Sequence, residues 1–231
     1  MNFFNKLLGK KQIEIQTDKQ KQTEYFIDID PNSSSLSTAF KDFYTNHFID
    51  SYGLAREEVD LDFFTTMTTE EKEIAKRLIR QNLKLRQVHL FKASAYLNDK
   101  EALPILYEQF NSNTDFSWLM TIGQSIWKLN KDELYPKLLR QLKKQPNEMM
   151  RYAHFRQVTD LANEESIELL YDFLYDESNL IKSSALTEMN YITVSKYERE
   201  NKYNLHFFDA KRNDTLFKKE LAVNLKKLKT R

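Results

Sequence analysis

Between Leu85 and Asp176 the apolar positions return at a fixed interval of 32 residues. Leu97, Leu129 and Leu161 are so spaced, as are Leu106, Leu138 and Leu170, and Phe110, Leu142 and Leu174. Within each interval the apolar residues fall three and four apart, the spacing of one helix face. Each interval therefore predicts two amphipathic helices joined by a tight turn, at Asn98-Asp99, at Asn130 and at Ala162-Asn163. The expected pairs are Leu85–Leu97 with Lys100–Asn111, Asp115–Leu129 with Asp132–Lys143, and Glu148–Leu161 with Glu164–Tyr175. A period in the thirties with one helical hairpin per repeat is the signature of an all-α solenoid.

The flanks follow the same rules less regularly. Thr68-Thr-Glu-Glu71 reads as a capping box, with the Thr68 hydroxyl accepting from the amide of Glu71 and the Glu71 side chain reaching back. It opens a helix with Ile74, Ala75, Leu78 and Ile79 inside. Ile74 and Leu78 precede Leu106 and Phe110 by one period, so this helix is expected to be the second half of an earlier repeat. Upstream, Leu36, Ala39, Phe40, Phe43 and His47 share a helical stripe, and Pro31 to Ser35 form a breaker cluster. Residues 2–8 predict a short helix, and alternation at Ile13, Ile15, Tyr25, Ile27 and Ile29 predicts a small hairpin within 12–30. Downstream, a fourth first-helix is expected over Leu180–Ile192. Tyr203 to Phe207 reads as a short strand, and Asn213 or Asp214 as the cap of a last helix bearing Phe217, Leu221, Leu225 and Leu228. The chain thus divides into an extension (1–30), a repeat domain (31–198) and a C-terminal linker with a basic capping helix (199–231). Asn130, Asn147 and Asn163 occupy expected N-cap positions.

Asp99-Lys-Glu-Ala-Leu-Pro-Ile-Leu106 and Asn130-Lys-Asp-Glu-Leu-Tyr-Pro-Lys-Leu138 are similar to HEAT-like repeats, with a turn Asp or Asn followed by a Leu-Pro-containing second helix. Asn163-Glu-Glu-Ser-Ile-Glu-Leu-Leu170 resembles them with Glu168 in place of the proline, and Met150-Arg151 with Ala153 echoes the first-helix pattern. Trp118-Leu119 with Gly123 departs from it. The resemblance covers about residues 70–192. It implies a right-handed α-solenoid of about four hairpins with atypical ends, curved as a protein-binding scaffold, and its second helices would line the concave side. A fold of this kind does not fix an activity.

Composition narrows the chemistry. With 41% apolar and 30% charged residues the chain is globular in composition. Three glycines are too few for folds built on glycine-rich phosphate loops. Cysteine is absent, which removes disulfides, thiolate metal sites and thiol nucleophiles. His47, His89, His154 and His206 are scattered without a ligand spacing, and His47 on its apolar stripe reads as a core histidine. No metal, cofactor or catalytic residue is therefore expected. Carboxylates fall mostly at helix starts, where they cap. No apolar run approaches the ~20 residues of a membrane span, and the first residues lack the small-residue cleavage site of a signal peptide, so a cytoplasmic location is expected. The net charge of +1 gives no global field for nucleic acid.

Two stretches stand out as candidate sites. At positions 105/137/169 the second helices read Ile, Lys, Leu, and at 109/141/173 they read Gln, Gln, Phe. The third unit thus carries a surplus apolar stripe, Leu169 with Phe173, extended by Tyr171 and Tyr175. Either it is an exposed partner-binding patch or a later segment of the chain covers it. The last helix gathers Lys218, Lys219, Lys226, Lys227 and Lys229 against Glu220 alone. It reads as a solvated cap, a patch for an acidic partner, or a membrane-surface helix. The expected function is a non-catalytic protein-interaction module: a scaffold, an assembly factor or a toxin-neutralising protein. The partner is expected to be another protein, with nucleic acid disfavoured. The alternative is a nucleic-acid-acting enzyme resembling HEAT-like DNA glycosylases, in which Trp118 or Trp127 would stack on a base beside Asp115 or Asp132.

Overall fold

The computed structural model describes residues 35–49, 61–84, 88–193 and 204–229, and among these every regular element is a helix. The expected short helix at 2–8 and hairpin within 12–30 lie outside the described residues. The helices are α1 (Thr38–Tyr44), α2 (Phe63–Thr66), α3 (Thr69–Leu83), α4 (Val88–Tyr96), α5 (Leu103–Ser112) and α6 (Phe116–Asn130). They continue as α7 (Leu134–Leu142), α8 (Glu148–Phe155), α9 (Glu164–Phe173), α10 (Asn179–Thr193), α11 (Leu205–Lys211) and α12 (Thr215–Lys229). Contacts divide the chain into two units, Met1–Asn130 and Lys131–Arg231.

In the first unit, α3 packs on α4 and α5, and α6 packs on the same two helices. The expected capping box is present. Glu71 accepts from the Thr68 amide at 2.8 Å while Thr68 Oγ1 accepts from the Glu71 amide at 3.2 Å. Glu71 has a second role: it accepts from the amide and hydroxyl of Ser37 at 2.6 and 2.9 Å. Ser37 is the N-cap of α1, so one carboxylate ties the starts of α1 and α3 together. Burial acts to raise its pKa, but the hydrogen bonds from Ser37 and Thr68 outweigh it and the net shift is downward.

In the second unit, α7 packs on α8 and on the 3-10 turn Arg156–Leu161 that continues it. That turn packs on α9, α9 on α10, and α12 on both α9 and α10. Helix α12 therefore holds the place of a second helix to α10, although residues 194–214 intervene. Arg151 is the buried link here. Its guanidinium donates to the carbonyl of Gln145 at 2.6 Å and to Asp176 Oδ1 at 3.0 Å, and Asp176 in turn accepts from the Ser178 amide at 2.9 Å.

The periodic positions form the core of both units. Leu106, Leu138 and Leu170 are buried, as are Phe110, Leu142 and Leu174. Of the third set, Leu129 is buried while Leu97 and Leu161, at helix ends, are half-buried. The turns that follow α4, α6 and the 3-10 segment Arg156–Leu161 each contain a residue in the left-handed region: Asn98 (φ 50°), Lys131 (φ 60°) and Ala162 (φ 50°). Such a residue ends the first helix and redirects the chain.

Two expectations need correction. Asn130 is no N-cap: it closes α6 and its amide donates to the Tyr107 hydroxyl at 2.8 Å. Asn147 and Asn163 do cap, accepting from Met150 and Ser166. The described part of the expected strand, 204–207, is helical. Asn204 accepts from the Phe207 amide at 3.0 Å and starts α11, whose Phe208 is buried. A local cap and one anchored aromatic outweighed the alternation seen in Leu205-His-Phe207.

Candidate functional site: the faces of the second unit

Helix α9 places Leu169, Tyr171, Phe173 and Tyr175 in sequence order around its C-terminal half and end. Leu169 is 7% exposed, Tyr171 1% and Phe173 0%, whereas Tyr175 is 40% exposed. As folded, the first three are interior, which corrects their expected placement on a partner-facing surface. The cause is apolar matching: a helix with two apolar faces needs two neighbours. Phe173 meets Phe155 edge-on at 5.5 Å, and Tyr171 meets Phe208 of α11 at 6.4 Å. Helix α12 supplies Leu221, Ala222 and Leu225 to the buried layer. Asp214 starts that helix by accepting from the Phe217 amide at 3.0 Å, and Phe217 lies edge-on to Phe207 at 5.7 Å.

The five lysines of α12 part into two groups. Lys218 pairs with Glu168 of α9 at 2.7 Å and lies 5.2 Å from the Tyr171 ring centre. Lys229 pairs with Asp160 at 3.4 Å. These two stand eleven positions, or three turns, apart, so they fasten both ends of the helix. Lys219, Lys226 and Lys227 are exposed on the outer side, together with Leu216 and Val223. Arg212 adds a cation over the Tyr175 ring at 4.7 Å and reaches Asp172 at 3.8 Å. Burial, followed by the nearby Glu168 and Asp214 carboxylates, pushes the Tyr171 phenol up to about 12. Its hydroxyl is buried without a hydrogen-bond partner.

Besides Leu216 and Val223 on α12 and Tyr175 after α9, this unit has outward apolar side chains on its first helices. Met149 and Tyr152 are exposed on α8, one turn apart and hence on one face. Leu180 is exposed at the start of α10. Ser178 donates its hydroxyl to Glu148 at 2.6 Å and Arg151 reaches Asp176, so the starts of α8 and α10 are pinned side by side. Met149 and Tyr152 on α8 and Leu180 on α10 are thus exposed on two helices whose starts are tied together. They lie outside the second helices, where the surplus apolar stripe drew attention in the sequence. The signal was present in α8, where Met149 and Tyr152 stand outside the stripe set by Arg151, His154 and Phe155.

The chain matches no protein-family model, no curated protein and no solved structure.

Other candidate chemistry is taken up by structure. Asp115 caps α6 by accepting from the Trp118 amide at 3.0 Å, and Asp132 accepts from the Leu134 amide at 2.9 Å. Both tryptophans are half-buried. In the first unit an open cleft of about 330 Å³ lies among Phe64, Thr69, Lys72 and Tyr96. Glu73 also lines it and pairs with Lys76 at 2.7 Å, which lowers its net attraction for anions. Among the described residues no cluster of three or more His, Asp or Glu side chains could hold a metal ion. No described helix is long and apolar enough to cross a membrane.

Proposed function

We propose that this chain is a non-catalytic protein-binding module of the HEAT-like α-solenoid type, acting as a scaffold or neutralising partner. It meets its partner through the paired first helices α8 and α10. The observation that carries the reading is the exposure of Met149, Tyr152 and Leu180 on two helices whose starts are tied by the Arg151–Asp176 and Ser178–Glu148 contacts. Interface energy concentrates in a few aromatic and large apolar anchors on rigid backbone, which is what these positions supply. The solenoid reading rests on the repeated order of packing inside each unit, where every second helix lies against the following first helix. The surplus stripe of α9 serves the interior, and the surface role passes to the first helices. The test is a chain carrying Met149→Ser, Tyr152→Ser and Leu180→Ser, compared with the unaltered chain in affinity capture from its native extract. The expected result is an unchanged melting temperature with loss of the captured protein. Undiminished capture would remove the role assigned to this face.

A further inference from the structure

A buried histidine pair in the first unit lies outside the surface that the binding reading uses. His47 sits in the π-helical turn Thr45–Ile49 that continues α1, and His89 near the start of α4. Their rings are 5.0 Å apart at 32°, and both residues are buried. A single π turn inserted in a helix is uncommon and concentrates where a side chain must be placed against a particular neighbour. Here the neighbours are aromatic: Phe43 at 5.3 Å and Phe63 at 6.2 Å from the His47 ring. His89 Nε2 has no hydrogen-bond partner.

A neutral imidazole tolerates that surrounding, because only one of its nitrogens then needs an acceptor. A protonated imidazole donates from both nitrogens, and His89 Nε2 has nothing to donate to. Charged residues occur on each helix packed in this part of the unit: Lys41 and Asp42 on α1, Asp62 ahead of α2, Lys76 and Arg80 on α3, Lys92 on α4 and Lys128 on α6. None of them figures in the downward shift of the His89 pKa, for which burial is the sole cause.

We propose that the His47–His89 contact is a proton-operated latch, which seats the π turn on α4 while the His89 ring is neutral and releases it on acidification. Release uncovers the aromatic cluster of Phe40, Phe43 and Phe64, all buried in the closed form. A second clasp at the opposite end of α1 works in a different range. Glu71 holds Ser37 as a carboxylate, and its pKa is shifted downward. Mild acid therefore frees the C-terminal end of α1 while its N-terminal end stays tied.

The direction follows from linkage. His89 titrates lower in the closed form than in an open one, so closure is favoured fully above about pH 6.5 and weakens as pH falls below it. The closed-to-open ratio drops by up to about tenfold per pH unit until the closed-form pKa is reached.

The experiment is amide hydrogen exchange between about pH 7.5 and 5.5, expressed as protection factors so that the intrinsic pH dependence of exchange cancels. Amides of residues 41–49 are expected to lose protection by up to about tenfold per unit below pH 6.5, while those of 119–129 in α6 hold theirs. His89→Leu is expected to flatten the response of 41–49. Constant protection in the unaltered chain would overturn the proposal, and so would a full pH response surviving in His89→Leu. Should that variant not fold, the ring protons of the unaltered chain decide. A His89 titration below about 6.5 in step with the loss of protection supports the latch, and an ordinary or raised value overturns it.

Discussion

Replacing Phe173 by alanine tests the interior of the second unit most directly. Its ring is fully buried and meets Phe155, at the end of α8, edge-on at 5.5 Å. A Phe→Ala change at such a site costs about 3–5 kcal/mol, the lost transfer energy plus the cavity left behind. A perpendicular aromatic pair places the value in the upper half of that range. For a chain of this size that is a fall of roughly 8–20 °C in melting temperature. Urea unfolding followed by far-ultraviolet circular dichroism reads the loss. Trp118 and Trp127 are the chain's two tryptophans and both lie in the first unit, so their fluorescence serves as that unit's own reference. Leu225→Ala approaches the same layer from α12 and is expected to cost about 2–5 kcal/mol. A loss below about 1 kcal/mol for Phe173→Ala would return the apolar stripe to the surface, and one that small for Leu225→Ala would mean that α12 does not cover α9.

Leu129→Ala and Leu138→Ala, both at buried periodic positions, are expected to cost about 2–5 kcal/mol each in equilibrium unfolding; values under about 0.5 kcal/mol would dissolve the register. Ala162→Gly is expected to stabilise the chain by about 0.5–1 kcal/mol, since Ala162 has φ 50° and only glycine takes that region without cost; a loss of stability on thermal melting would contradict this. Glu71→Gln is expected to cost about 1–3 kcal/mol at neutral pH. Because the folded Glu71 pKa is lowered, its contribution is present above the ordinary value of 4.5 and vanishes as pH falls through the folded value; a variant whose deficit stays constant into acid would refute the clasp. Lys218→Ala is expected to change stability by less than about 1 kcal/mol, because its partner Glu168 is largely exposed, and a larger loss would show the fastening to be stronger than a surface ion pair.

How far the sequence carries depends on which force sets each feature. The helices were legible because their core positions repeat: Leu106, Leu138 and Leu170 recur at one interval, and each is buried within its own unit. The Thr68–Glu71 box was legible because capping is local, yet the reach of Glu71 to Ser37 spans 34 positions and no local rule contains it. The stripe of Leu169 and Phe173 was visible, but its neighbour was not. Residues 194–214 separate α12 from the place a regular repeat would give it, and periodicity ends where an insertion begins. The helices that expose Met149, Tyr152 and Leu180 are tied at their starts by Arg151, whose role depends on Asp176 lying 25 positions away. Asn204 outweighed the alternation around it because a helix cap acts on a few residues, whereas a strand needs a partner that the described residues do not supply.

The delayed position of α12 has a consequence for the making of the protein. A chain elongating at about 5–20 residues per second completes α9 well before the helix that covers it. Leu225 follows Phe173 by 52 positions, which corresponds to roughly 3–10 s of synthesis at that rate. Throughout that interval Tyr171 lacks the cover that Phe208 and Lys218 later give it, while the preceding helices are already made. The nascent chain thus passes through a stage with an uncapped apolar edge, the condition under which holdase chaperones bind and under which neighbouring nascent chains on one message associate. Slowing translation between codons 174 and 225 is expected to lengthen that stage and lower the soluble yield, with the finished protein unchanged.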